Sequence, residues 1–340
     1  MSLTNEAIIE HLIRGNDLDS VMVRTLMERI LTNTMPDAQI AASLALLRAK
    51  SASPLEIAQS AETVLNKAMP IERPGYLFAD VVGTGGDGFN TINVSTLASI
   101  TAASLGLPVA KHGSVSVSSK CGSADVLKEL GIDISMEAKK ARSFLDQNHW
   151  CFLFAPIYHP SFLAVKKLRQ ELKIKTIFNI LGPLVNPLSP PVMLIGVYDP
   201  SLITLFVQAL RDLRRKRVLI VHGSGLDEIA LHGPTTGALL DDKSIVDFHI
   251  TPKDLGLKFH GINEIQGGMP QDNARIFQNI LSGNADDAKT SMVAASAGVL
   301  LWLGEVAKSP YDGVTLARSA LLDGMPARTL LKLRESRHGA

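Results

Sequence analysis

Five short apolar runs, each halted by a glycine or a turn and separated from the next by other patterns, confine this chain to an α/β architecture. The runs are LFADVV (77–82), LPVAKHG (107–113), WCFLFAP (150–156), VMLIGVY (192–198) and RVLIVHG (217–223). Apolar strands without polar alternation are covered on both faces, and such strands pair in parallel beneath crossover helices. Helical patterns lie between them, at Ala124 to Leu130, Glu137 to Asn148 and Leu202 to Leu213. A hairpin is expected around Gly237 to Phe248, and most of the C-terminal third reads as helix.

Residues 5 to about 70 carry no strand pattern. IIEHLIRG stops at Gly15, a plausible C-cap, and Asp19 or Ser20 opens the next helix with Val23, Leu26, Met27, Ile30 and Leu31 inward. Pro36 opens a third helix. Ser53-Pro54-Leu55-Glu56 is a capping box with proline at the first helical position, and that helix should run to about Met69. The sequence therefore predicts a small all-helical domain over residues 1–75. A larger α/β domain follows, with a central, mostly parallel sheet flanked by helices.

Composition removes several function classes. The net charge is +1, from 34 Lys and Arg against 33 Asp and Glu, and aromatic residues make up 5%. That balance offers nothing to nucleic acid or a membrane surface. Two cysteines, Cys121 and Cys151, have no zinc spacing and make no disulfide framework. The N-terminal residues are not a signal peptide. The longest apolar stretch, Met292 to Leu303, falls short of the roughly 20 residues that a membrane helix needs. A cytoplasmic enzyme is expected.

Three strand ends carry the chemistry. The first reads Gly83-Thr84-Gly85-Gly86-Asp87-Gly88, then a polar turn, then a helix opening near Ser95. Glycines let backbone N–H groups approach an anion, and a helix N-terminus adds donors and partial positive charge. Thr91, Asn93, Ser95 and Thr96 add side-chain donors. A Walker loop would end in Gly-Lys-Ser/Thr, which is missing here. The dinucleotide fingerprint would need an acidic residue about 20 positions on, and no Asp or Glu lies between Asp87 and Asp125. The second strand end, Lys111-His112-Gly113-Ser114 through Ser123, places two lysines and five hydroxyls around two glycines, either a solvated serine loop or a wrap for a second phosphate. The third presents adjacent carboxylates, Asp227 and Glu228. Hard oxygen ligands near a diphosphate suit Mg²⁺.

Together these elements resemble the anthranilate phosphoribosyltransferases. The chain carries GTGGD at 83–87, NVST at 93–96, Asp227-Glu228, and TIFNILGPLVNP at 176–187, and the similarity covers nearly the whole chain. The resemblance implies a helical domain of residues 1–75 joined by about 166–190, an α/β domain of 76–165 and 191–340, and a homodimer formed through the helical part. It implies that Gly83, Gly86, Asp87, Thr91, Asn93, Val94, Ser95, Thr96, Lys111, His112, Gly113, Ser118, Ser119 and Ser123 bind phosphoribosyl diphosphate. Ser95, Asp227 and Glu228 would hold magnesium, two ions per subunit. Anthranilate would meet Gly83, His112, Ser114, His159 and Arg169. Lys111, Arg169, Asp227 and Glu228 would be the catalytic set. Arg169 lies in a basic stretch whose lysines, Lys166, Lys167, Lys173 and Lys175, read as a solvated face.

One departure stands out. The family usually has Asn-Arg after Lys-His-Gly, where this chain has Ser114-Val115. A serine offers one hydroxyl in place of an amide, so the acceptor is where this chain could differ. The expected chemistry is transfer of the phosphoribosyl group to the anthranilate amine with loss of diphosphate, a step in tryptophan biosynthesis. No nucleophile constellation is present, which suits a dissociative path driven by positioning and charge neutralisation. The alternatives are a paralogue using another aromatic acceptor and an enzyme like the pyrimidine nucleoside phosphorylases, which share the fold but have less use for the Asp-Glu pair.

Overall fold

The computed structural model describes residues 3–116 and 120–335. Four helices open the chain: α1 (Asn5–Ile13), α2 (Ser20–Leu31), α3 (Asp37–Lys50) and α4 (Pro54–Asn66). Their ends follow the expected signals. Asp19 caps α2 by accepting from Val21 N and Met22 N, and the Ser53/Glu56 capping box is formed at α4. Glu56 is fully buried, where it also accepts from Leu18 N and Lys50 Nζ, so one carboxylate ties three parts of the bundle together.

The sheet then begins with β1 (Ala79–Gly83), followed by α5 (Val94–Ser104), β2 (Val109–Gly113), α6 (Ser123–Glu129), α7 (Ala138–Asn148) and β3 (Trp150–Phe154). Three short helices, α8 (Ala155–Tyr158), α9 (Leu163–Leu172) and α10 (Phe178–Leu181), lead to β4 (Val192–Gly196), α11 (Leu202–Asp212) and β5 (Arg217–Gly223). The hairpin is β6 (Thr235–Asp241) and β7 (Ser244–Ile250), turning at Asp242, whose φ is +53°. The chain closes with α12 (Pro270–Leu281), α13 (Asp287–Leu303), α14 (Pro310–Leu322) and α15 (Met325–Glu335).

The strand order is β3-β2-β1-β4-β5-β6-β7, with β1 to β5 parallel and the last two antiparallel. Burial on both faces explains the unbroken apolar runs. Leu194, Leu219 and Val221 point into one core with α5 and the C-terminal helices, while Met193, Ile195, Val218 and Ile220 point into a second core with α11 and the N-terminal bundle. Val165, Leu168, Ile177, Phe178 and Leu181 join that second core, so the chain returns to the bundle midway. Because β2 and β3 lie on one side of β1 and β4 and β5 on the other, the order reverses at β1 and β4. In open α/β sheets a ligand crevice forms outside the strand ends at such a point. Among the described residues no helix is long and apolar enough to cross a membrane.

Candidate active site

The loop after β5 folds over the ends of its neighbours. Gly223 and Leu226 exchange two backbone hydrogen bonds of 3.0 Å around Ser224 and Gly225, a tight turn that delivers Asp227 and Glu228 across β4 to β1. A Cβ on Gly196 would overlap the Asp227 carbonyl, and one on Gly83 would overlap the Asp227 carboxylate, so both strand ends need glycine for the loop to cross. Asp227 Oδ2 accepts from Gly85 N at 2.6 Å. Gly85, Gly86 and Gly88 have φ of +69°, +84° and +83°, the left-handed backbone that only glycine adopts without strain.

Glu228 is held by both neighbouring layers. Its Oε1 accepts from Ser95 N in the first turn of α5 at 3.2 Å, and its Oε2 from the Ser296 hydroxyl of α13 at 3.2 Å. Lys111, buried in β2, donates to Val81 O at 2.8 Å and to Ser95 Oγ at 3.3 Å. Burial pushes its ammonium pKa down, opposed by the charges of Asp80 and Glu228. Burial likewise raises the Glu228 carboxyl to about 8, helped by repulsion from Asp227 and opposed by Lys111. Asp227 is raised by the same burial and by repulsion from Asp87, whose Oδ2 is buried without a partner. Burial and mutual repulsion thus disfavour the charged forms of Asp227 and Glu228, a cost that a cation beside them would offset. Among the described residues no three His, Cys, Asp or Glu side chains are grouped so that they could hold a metal ion by themselves. Two carboxylates and the Ser95 hydroxyl fit Mg²⁺, which leaves its other positions to water and phosphate oxygens.

The expected residues fall into distinct settings. Gly83, Asp87, Ser95, Lys111, Asp227 and Glu228 converge at the ends of β1 and β2. Thr96 Oγ1 is buried there with no partner. Asn93 is engaged internally: its amide donates to Cys121 O at 2.9 Å and accepts from Asn273 at 2.9 Å, joining the glycine loop to the second loop and α12. Thr91 bridges to Gln266, clasping the same loop from outside. The Val94 side chain is in the core at 1% exposure, so only its backbone can face an anion. Ser123 Oγ donates to Ser114 O at 3.3 Å, and the Gly113 position leaves no room for a side chain beside that hydroxyl. Ser118 and Ser119 lie outside the described residues.

His112 and His159 form a second cluster. Their rings meet edge to face at 5.2 Å, and His159 stacks on Phe162 at 5.4 Å. Phe162 meets Phe178 at 5.6 Å, and the Arg169 guanidinium stands 5.5 Å over Phe178. One chain of rings thus runs from the end of β2 to Arg169. Burial holds His112 down to about 3 and His159 to about 4, so both are neutral. His159 Nε2 lies 2.8 Å from Val185 O and must carry the hydrogen, leaving Nδ1 a bare acceptor. His159 Nδ1 and His112 Nε2 are both buried without a partner.

Several site residues escaped the sequence reading. Asp80 accepts from Asn186 Nδ2 at 2.9 Å and from His112 N at 3.4 Å, anchoring β2 through a buried carboxylate. The signal was present: Asp80 and Lys111 are lone charges within otherwise apolar runs. Ser296 and Asn273 gave no local signal. Lys175 carries a contact that the sequence did not suggest. It is exposed, as expected of that stretch, but its Nζ also lies over the Tyr198 ring, 3.7 Å from the centroid.

A helical bundle joined to an α/β domain, with anion loops and paired carboxylates at the switch point, defines a glycosyl transferase. Residues 6–68 match the glycosyl transferase family helical bundle domain and 75–327 its a/b domain. The chain belongs to the anthranilate phosphoribosyltransferase family. It is 41% identical over 335 residues to the anthranilate phosphoribosyltransferase of Sorangium cellulosum, spanning 98% of this chain and 96% of that one. Identity to the Yersinia pestis enzyme is 44% over 296 residues, 87% and 89% of the two chains. The crystal structure of the Thermus thermophilus enzyme superposes with a TM-score of 0.90 at 32% identity, over 96% of this chain and 98% of that one. The Saccharomyces cerevisiae enzyme in complex with PRPP and Mg gives 0.85 at 27% identity, over 99% and 94%. The same enzyme with 4-fluoroanthranilate gives 0.89 at 27%, over 99% of each chain.

Proposed function

We propose that the residues gathered at the ends of β1, β2 and β5 carry out phosphoribosyl transfer from phosphoribosyl diphosphate to the amine of anthranilate, the tryptophan-pathway reaction of this family. The observation that carries the reading is the crowding of Asp87, Asp227 and Glu228 against the glycine loop, an acidic site next to an anion cradle. Two magnesium ions per subunit would be held by Asp227, Glu228 and Ser95, and they would supply charge neutralisation for the departing diphosphate. Backbone N–H groups of 83–88 and the first turn of α5 hold phosphate oxygens, with the Thr96 hydroxyl as a further donor. Lys111 places its ammonium where negative charge collects as the C1–O bond breaks. Ser123, with Ser118 and Ser119, would supply hydroxyl donors to the phosphoribosyl diphosphate.

The aromatic chain takes the acceptor. Arg169 clamps the anthranilate carboxylate, and the bare nitrogens His112 Nε2 and His159 Nδ1 accept amine N–H bonds, which turns the nitrogen lone pair toward C1. The helical unit comprises residues 1–75 and about 166–190, and two copies associate through it, since it exposes Ile13 at 59% and Val21 at 63%. The enzyme works in the cytoplasm. Ser114 in place of the usual asparagine favours a second reading, an enzyme for a different aromatic amine.

A fluorescence assay tests the reading. Loss of anthranilate emission that requires phosphoribosyl diphosphate and stops with a magnesium chelator supports it. No turnover with anthranilate, but turnover with another aromatic amine, supports the second reading. Phosphate-dependent release of a base from a nucleoside would contradict both.

A further inference from the structure

Lys175 is the one lysine of its basic stretch that faces the glycine loop. It sits in the irregular link between α9 and α10, and its Nζ lies 3.3 Å from where a Cβ on Gly86 would be. Tyr198, just after β4, supports it from below through the 3.7 Å ring contact. Tyr198 is itself tied to the loop, its N donating to Thr84 Oγ1 at 3.1 Å. Among the described residues Lys175 pairs with no carboxylate, whereas Lys167 pairs with Glu171. Beside it a cleft of about 290 Å³ separates α3 from the end of β4, lined by Arg48, Tyr198 and Asp199. The Asp199 carboxyl in that cleft is held down chiefly by hydrogen bonds from the Ser201 hydroxyl and amide, with the charges of His222 and Arg48 adding to this, so it is already engaged by groups other than Lys175. An ammonium lying on a ring, with room to move and an anion cradle within reach, lacks only its anion.

We infer that Lys175 is a donor-binding residue: it leaves or extends from Tyr198 to contact the diphosphate held at Gly85 and Gly86, drawing the bundle's return segment onto the donor. The inference rests on the phosphoribosyl diphosphate reading above. It assigns the cation that offsets charge on the face of the diphosphate opposite Asp227 and Glu228.

The test is steady-state kinetics of Lys175→Met and Lys175→Arg with each substrate varied in turn, plus titration of inorganic diphosphate with magnesium. A lost charge-assisted contact should raise the donor KM about ten- to a hundredfold in Lys175→Met, leave the acceptor KM within about twofold, and be largely restored in Lys175→Arg. Diphosphate binding should weaken in parallel. An unchanged donor KM overturns the inference, and so does a joint rise in both KM values, which would mark a purely structural role. Lys175-dependent diphosphate binding by a protein that makes no product would uphold this contact while contradicting the transfer reaction.

Discussion

The carboxylate of Asp227 fills the space that a side chain on Gly83 would need. A Cβ there would overlap Oδ2 and stand 3.0 Å from Cγ. The glycine of the first strand end and the acid of the fifth are therefore two halves of one fitted contact. Gly83→Ala should push the 226–228 loop outward and lower kcat/KM roughly a hundredfold, since displacements of about 1 Å cost that much. Kinetics with a thermal melt separates this from unfolding, and wild-type turnover would mean the loop does not need the contact.

Removing the acids is the chemical counterpart. Asp227→Asn with Glu228→Gln should leave the fold intact and lower kcat by about two orders of magnitude or more. Turnover near wild type in the double variant would refute the metal role.

The same acids set a pH dependence. Their folded pKa values are raised, Glu228 from 4.5 to about 8, so between those limits the folded state binds more protons than the unfolded chain. Stability of the metal-free protein should then fall as pH rises through that window. Melting temperature measured from pH 5 to 8 should drop without magnesium, recover with it, and flatten in the double variant. A metal-free profile identical to that of the double variant would contradict the assignment.

Much of this was legible in the sequence, and the parts that were not share a reason. Gly83, Gly85 and Gly86 announced themselves because close approach and positive φ leave glycine as the residue of choice, and the Ser53–Glu56 capping box is a local rule. The strands could be read because two buried faces demand continuous apolar residues. What stayed hidden is long-range. Asn186 reaches Asp80 from 106 positions away, Ser296 reaches Glu228 from 68, and Asn273 reaches Asn93 from 180. No spacing encodes such contacts. Lys175 was hidden differently, because it looks like its neighbours until the fold places Tyr198 beneath it.

On the acceptor side, Arg169 has no carboxylate partner among the described residues and stands over Phe178. Arg169→Ala should raise the acceptor KM about ten- to a hundredfold, with donor binding little changed. Titration of both substrates checks this, and an unchanged acceptor affinity would reject the clamp. Because His112 and His159 are neutral far above about 4, acceptor KM should also stay flat from pH 6 to 8 on their account.

Ser114 offers a gain-of-function test. Its carbonyl already accepts from Ala124 N at 3.2 Å, so the loop path does not depend on the side chain. Ser114→Asn should lower the anthranilate KM about two- to tenfold by adding one neutral hydrogen bond. No change, together with a better turnover of another aromatic amine by the wild type, would make Ser114 a specificity change rather than a loss.

The whole account depends on backbone amides and a divalent cation gripping one diphosphate between residues 83–88 and 227–228. Calorimetric titration of phosphoribosyl diphosphate into the wild type and the Asp227→Asn, Glu228→Gln variant, each with magnesium and with chelator, tests that directly. Binding by the wild type that needs magnesium and is lost in the variant is the predicted result. Equal binding in all four titrations would place the donor elsewhere and contradict it.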